Sequence, residues 1–301
     1  MSLPPLDELV NVLEVEDVAR QALSRVAYER IASAAGAGLT LRRNREAFDR
    51  ITFRPRMLVD VSQMDLSTEL FGEKLYAPIL VSGLARHRRA HPDGELATVQ
   101  GAGAAKTILV VSRDPSVPFD QISQRAAAPL WSQSPSDVAL GAKVLVVGAG
   151  AGFDWDQLRR LRQTSTVPIV LKGVLSPEQA AAAVERGAQG LIVSNWGGKH
   201  VDGLPAAIEA LPRVAEAVAG RVPVLVDGGF RRGGDILKAL ALGAKAVLVG
   251  RPVLYGLGAY GADGVRAVLT MLQNELALSM GLCGKPNLAA VDRSVVKLHR
   301  R

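Results

Sequence analysis

Short apolar runs rich in valine, isoleucine and leucine recur along the chain, each closing in a small or polar turn and followed by an alanine-rich stretch of helical period. This rhythm predicts eight strands, at residues 77–83, 107–112, 129–133, 142–148, 167–173, 190–195, 222–229 and 246–250. Strands that are apolar on both faces, with helices between them, pack as a parallel sheet under a helical cover. Eight such units in succession predict an α/β fold, a single closed (β/α)8 barrel, rather than an open doubly wound sheet. Residues 1–76 precede the barrel. A helical segment near 15–35, then short strand character over 51–75, predicts an N-terminal extension packed on the barrel floor. No linker separates it, so residues 1–301 are read as one domain.

Barrels of this kind place chemistry at the carboxyl ends of their strands. Those ends carry Ser112, Gln133, Gly148, Lys172, Asn195, Asp227 and Arg251. Lys172 closes a fully apolar run, where an ammonium must meet a negative partner or lose its charge; an ion pair with a neighbouring strand is the plain structural reading. In "DGGFRRGGD" (227–235) and "VGRP" (249–252), glycines expose backbone N–H groups at helix starts with Arg231 and Arg251 beside them. That is a phosphate seat at the place where phosphate-binding barrels have one. The turn "SNWGGKH" (194–200) looks built for a site, yet its centre is a blunt tryptophan, Trp196; only Asn195, Lys199 and His200 there can donate, accept or carry charge.

Composition narrows the partners. The chain of 301 residues carries a formal net charge of +7, but its aromatic content is 4%, too low for stacking platforms, and its basic residues are scattered. Nucleic acid is therefore not expected as a partner; a small anionic molecule is. A single cysteine excludes an internal disulfide and favours a reducing compartment. The N-terminal stretch lacks the basic start and apolar core of a signal peptide, and no apolar run approaches the roughly 20 residues of a membrane span. No membrane contact is expected, and the expected location is the cytoplasm. No metal site is expected.

Several long motifs occur in order: "RRNREAFDRITFRPRMLVDVS" (42–62), "AHPDGELAT" (90–98), "LKGVLSPEQA" (171–180), "SNWGGKHVDG" (194–203) and "VDGGFRRGGDILKALALGAKAVLVGRP" (226–252). Together they resemble the FMN-dependent α-hydroxy-acid oxidase/dehydrogenase family, which includes glycolate and lactate oxidases, from about residue 28 onward. The resemblance implies FMN as cofactor. It places the backbone of Gly83, Leu84 and Ala85 beside the flavin ring, and Ser112 and Gln133 on its pyrimidine side. It sets Lys172 near N1 and O2 of the ring and Asp227 on the ribityl chain. Gly229, Arg231, Gly250 and Arg251 match the phosphate seat, while a threonine of the family's fourth barrel strand is Gly148 here.

The catalytic set departs from the family. Its motif Ser-Asn-His-Gly-Gly-Arg uses the histidine as base and the arginine to grip the substrate carboxylate; the corresponding residues are Trp196 and Lys199. A family tyrosine aligns with Arg30, another with Pro135, and the aspartate that orients the histidine falls in "GAGAG" (148–152), after which a long family loop is missing. The segment between the third and fourth barrel strands is cut to "PSDVALG". By position, Arg30, Arg86, Arg113 and Lys199 surround the mouth above the flavin, and Asp114 and His200 are the nearby candidates for proton transfer; each has an ordinary structural alternative. His87 and His91 are read as structural.

The expectation is an FMN-binding oxidoreductase acting on a small anionic substrate by chemistry other than histidine-initiated 2-hydroxy-acid oxidation, with Lys172, Trp196, Lys199, Asp114 and His200 as its catalytic candidates. The alternative is a catalytically silent paralogue serving as a structural or regulatory subunit. The family forms tetramers, so a homo-oligomer, or a hetero-oligomer with a related subunit, is expected.

Overall fold

The computed structural model describes residues 3–148 and 153–299. Three helices open the chain: α1 (Val12–Ala22), α2 (Arg25–Ala32) and α3 (Leu39–Asp49). The Asn11 side chain caps α1 by accepting from the backbone of Leu13 and Glu14, and its apolar stripe of Val12, Val15, Val18 and Ala19 is buried. The single helical segment expected near 15–35 is thus two helices, broken where Ser24 starts and caps α2, and α3 lies in a stretch read only as basic. Strand β1 (Ile51–Phe53) precedes a hairpin of β2 (Thr68–Leu70) and β3 (Glu73–Leu75).

All eight expected barrel strands form. They are β4 (Ile79–Val81), β5 (Ile108–Val111), β6 (Trp131–Ser132), β7 (Val144–Gly148), β8 (Ile169–Val174), β9 (Gly190–Val193), β10 (Val224–Asp227) and β11 (Ala246–Val249). They pair in parallel and close on themselves, β9 with β10 and β11 with β4. The intervening helices are α4 (Glu95–Ala104), α5 (Phe119–Arg125), α6 (Trp155–Thr164), α7 (Pro177–Glu185), α8 (Ala207–Val218) and α9 (Gly233–Ala241). The long α10 (Arg251–Leu282) follows, interrupted where Gly261 takes a φ of +59°, and strand β12 (Val296–Leu298) ends the fold. Only a 3-10 turn, Pro135–Val138, occupies the shortened stretch between β6 and β7.

Alternation along each strand sorts the core into two parts. One set of side chains, including Ile79, Val81, Leu109, Val111, Leu191 and Val193, points out to the helices. The other, including Leu80, Val110, Trp131, Val146, Val170, Ile192, Leu225 and Leu248, fills the barrel interior. The β2–β3 hairpin closes the floor: Leu70 and Leu75 join the interior cluster, and Phe71 meets Trp131 edge-on at 5.6 Å. By contrast, β1 leaves the floor and pairs antiparallel with β12.

Candidate active site

Two residues beyond the last apolar interior position of each strand lies one further inward position, and together these form the top layer of the barrel. It consists of Ser82, Ser112, Gln133, Gly148, Lys172, Ser194, Asp227 and Gly250. Lys172 and Asp227 stand on opposite sides of β9, and the buried ammonium reaches the Asp227 carboxylate at 2.5 Å and donates to Ser82 Oγ at 3.0 Å. Asp227 Oδ1 is buried without a hydrogen-bond partner. The carboxylate beside this ammonium comes from β10, one strand beyond the neighbour, and it lets the apolar interior tolerate the charge.

Glycines at 148 and 250 leave gaps in the layer, and Trp196 descends into the first. The β9 end is fixed from outside, where the Asn44 and Asn195 carboxamides exchange hydrogen bonds at 2.8 and 2.9 Å and Asn195 also donates to Pro205 O. The chain then makes a tight 3-10 turn, Trp196–Gly198, with Trp196 itself at φ +57° and Gly197 and Gly198 also left-handed. Such a φ is unusual for a bulky residue. It turns the indole down into the barrel mouth, where its edge would be 2.6 Å from a β-carbon on Gly148 and the Lys172 ammonium lies 5.3 Å from its ring centre. The His200 ring meets the indole edge-on at 5.5 Å.

Lys199 follows a different course from the substrate grip expected of it. Its ammonium donates to the carbonyls of Arg30 and Ile31 and to Ser33 Oγ, which caps the C-terminal end of α2. Burial of the ammonium, then the like charges of Arg251 and Arg89, push its pKa down to about 8. Arg251 shares this task, donating to the carbonyls of Ile31, Ser33 and Gly197, and burial lowers its pKa too. Arg231 is held by Glu16 at 3.2 Å and by Phe230 O.

A cavity of about 650 Å³ runs between these groups, lined by Ser82, Ser112, Gln133, Lys172 and Asp227 of the top layer, by Gly83, Leu84 and Ala85, and by Gly228–Arg231 and Gly250–Pro252. At one end Gly229 is left-handed, and a β-carbon there would lie 2.1 Å from Asn44 O, so only glycine lets this loop close. At the other end the Gln133 carboxamide packs on Gly83, 2.7 Å from where a β-carbon would be. These residues fit FMN: a glycine cradle with two arginines suits its phosphate, and the unpartnered Asp227 Oδ1 suits a ribityl hydroxyl. Gln133 and Ser112, whose Oγ accepts from the Asp114 backbone, offer polar atoms at the ring end.

Other expected site residues are distributed unequally. Arg30, Arg86, Lys199 and His200 line the cavity; Arg113 and Asp114 do not. Asp114 instead pairs with Arg86 at 2.6 Å on the exposed rim. Arg89, missed in the sequence because it sits in a run read as structural, also lines the cavity. His87 is buried between Thr98 Oγ1 and Leu84 O, and burial lowers its pKa, in keeping with a structural role. Positions 149–152, where the family's orienting aspartate was expected, lie outside the described residues. No cluster of three or more His, Cys, Asp or Glu side chains able to hold a metal occurs among the described residues, and none of their helices is long and apolar enough to cross a membrane.

The profile of a family described as FMN-dependent dehydrogenase matches residues 19–145 and 136–298. A peroxisomal (S)-2-hydroxyacid oxidase of Arabidopsis thaliana is 38% identical over 97% of this chain and 97% of its own length. Glycolate oxidase 1 of Zea mays is 38% identical over 96% of this chain and 95% of its own. Mandelate oxidase solved with (S)-2-phenylpropionate superposes with a TM-score of 0.92 at 32% identity, covering 97% of this chain and 100% of that one. Its structure with (S)-4-hydroxymandelic acid gives 0.93 at 31%, with the same coverage. The alignment with the Arabidopsis enzyme spans 353 positions, of which 97% of 301 residues fills about 292, so about 60 positions of the relative have no counterpart here. The two profile segments overlap at 136–145, beside β7, which puts the break there.

Proposed function

Because the chain belongs to the FMN-dependent dehydrogenase family, with FMN as its cofactor, we propose that it is an oxidoreductase acting on a small anionic molecule without the histidine base of 2-hydroxy-acid oxidation. The observation that carries this reading is Trp196, seated against Gly148 and over Lys172 where the family motif has histidine. An indole has no basic nitrogen and takes no proton from a hydroxyl or an α-carbon. FMN, when bound, supplies two-electron acceptance. The chain's own residues fix the surroundings: Asp227 and Ser82 hold the Lys172 charge at one atom, the Trp196 ring faces it at 5.3 Å, and the arginines at the mouth draw in anions. Of the two proton-transfer candidates, His200 borders the cavity and Asp114 is engaged with Arg86 outside it.

A second reading, a silent paralogue that serves as a subunit of a flavoenzyme assembly, draws support from Lys199, which stands at the family's carboxylate-gripping position but is engaged with the α2 carbonyls. The two readings separate in one experiment. The purified protein, yellow with flavin absorption, is mixed anaerobically with a panel of small organic anions. Reduction of the flavin by any of them supports the enzyme; reduction by none, with co-purification of a related flavoprotein, supports the subunit. Light scattering on the same sample tests the proposed tetramer. The single cysteine, Cys283, supports a reducing compartment such as the cytoplasm.

A further inference from the structure

Seven of the side chains lining the cavity are arginine or lysine and one is a carboxylate, Asp227. Three of the seven are already met by acids: Lys172 by Asp227, Arg231 by Glu16 and Arg86 by Asp114. Arg30, Arg89, Lys199 and Arg251 have no carboxylate within ion-pair distance among the described residues. Arg251 flanks the glycine cradle suited to the FMN phosphate. The other three belong to the mouth, Arg30 at the end of α2, Arg89 in the 3-10 turn that follows β4, and Lys199 in the turn that follows β9. All three line the same cavity, so these charges share one space.

We propose that Arg30, Arg89 and Lys199 form an anion seat at the cavity mouth that takes a substrate bearing two negative groups, a dicarboxylate or a phosphorylated acid. Like charges lining one mouth with no carboxylate among them repel one another, and an anion seated between them relieves that repulsion. A single carboxylate offsets one of three charges; a dianion offsets two and draws charge-assisted hydrogen bonds from both guanidinium groups. The backbone argues the same way. Lys199 is anchored by its bonds to the α2 carbonyls, so its charge is fixed at the end of the helix that carries Arg30. Trp196, facing the same space, supplies an apolar wall that would receive the carbon skeleton between the two anionic groups.

This inference rests on the proposed function for the site, and the test separates the two. FMN-saturated protein in a chloride buffer is titrated by calorimetry with succinate, with its half-amide succinamate, and with phosphoglycolate, while the flavin spectrum reports cofactor occupancy independently. Succinate or phosphoglycolate should bind about tenfold or more tightly than succinamate, and which of the two is preferred tells carboxylate from phosphate as the second group. Arg30→Gln and Arg89→Gln should each reduce the preference about threefold or more with flavin occupancy retained, whereas Arg86→Gln, whose charge Asp114 already meets, should change it less. Equal binding of succinate and succinamate would overturn the proposal, as would a dianion preference that survives both variants, which would place the anion in the phosphate cradle. Loss of flavin from the parent would fail the cofactor reading instead, and is seen in the spectrum.

Discussion

The edge of the Trp196 indole lies 2.6 Å from the place a β-carbon on residue 148 would occupy, so the tryptophan and the glycine are complementary halves of one arrangement. The family's histidine and strand threonine, as the motif comparison aligns them, are replaced together because the larger residue needs the space the smaller one vacates. The backbone at Gly148 is outside the left-handed region, so a side chain there meets only a steric objection. Gly148→Thr should therefore cost about 1–3 kcal/mol with Trp196 present and little in a Trp196→His background. Urea unfolding of the four proteins of this cycle measures the coupling; equal costs in both backgrounds would show the positions to be independent.

Removing the Lys172 ammonium strands a buried carboxylate that already has one unpartnered oxygen. Lys172→Met should destabilise the protein by about 3–5 kcal/mol, and Lys172→Met with Asp227→Leu should recover most of it. In the single variant that still holds FMN, spectroelectrochemistry should find a lower flavin potential, because positive charge has been taken from the ring environment.

Lys199 gives the site a pH limb. Its pKa of about 8 in the folded protein is below the ordinary 10.5, so its charge is present below about pH 8 and lost above it. Anion affinity should fall as pH rises through 8. Folding stability should move the other way between 8 and 10.5, because the unfolded chain then binds more protons than the folded one. Lys199→Arg should remove both trends; calorimetric affinities and unfolding free energies across this range provide the check.

The phosphate cradle is tested by Arg231→Ala and Arg251→Ala, each of which should weaken FMN binding by about 1.5–3 kcal/mol in equilibrium dialysis. Arg251→Ala should in addition speed hydrogen exchange at the end of α2, since it removes bonds to Ile31 O and Ser33 O.

The barrel was legible because both-face apolar strands alternating with helices admit few architectures, and the glycine loops beside Arg231 and Arg251 because such loops at strand ends line the barrel mouth. The pairing of Ile51–Phe53 with Val296–Leu298 was not legible, since two three-residue segments so far apart in sequence carry no local sign of one another. The contacts of Lys199 and Asp114 were not legible: the sequence shows a lysine after two glycines, but which oxygens its ammonium reaches depends on where α2 ends. Asp114 turned out to serve Arg86, a partner supplied by the neighbouring strand's loop. Arg89 had a usable sign, being the third arginine of the loop after the first barrel strand, at the working end of the barrel.

The central claim is that this site has left histidine-initiated hydroxy-acid oxidation, and anaerobic stopped-flow absorbance with glycolate, lactate and mandelate tests it most directly. Parent protein and Trp196→His/Lys199→Arg are compared. A general base is worth about 10²–10⁴-fold only when correctly placed, and Arg30, Pro135 and the shortened segment beside β7 leave a restored histidine without the family's surrounding groups. The flavin should stay oxidised in both proteins. Bleaching of the parent flavin by any of the three acids would contradict the claim, because Trp196 would then be compatible with the chemistry it is argued to exclude.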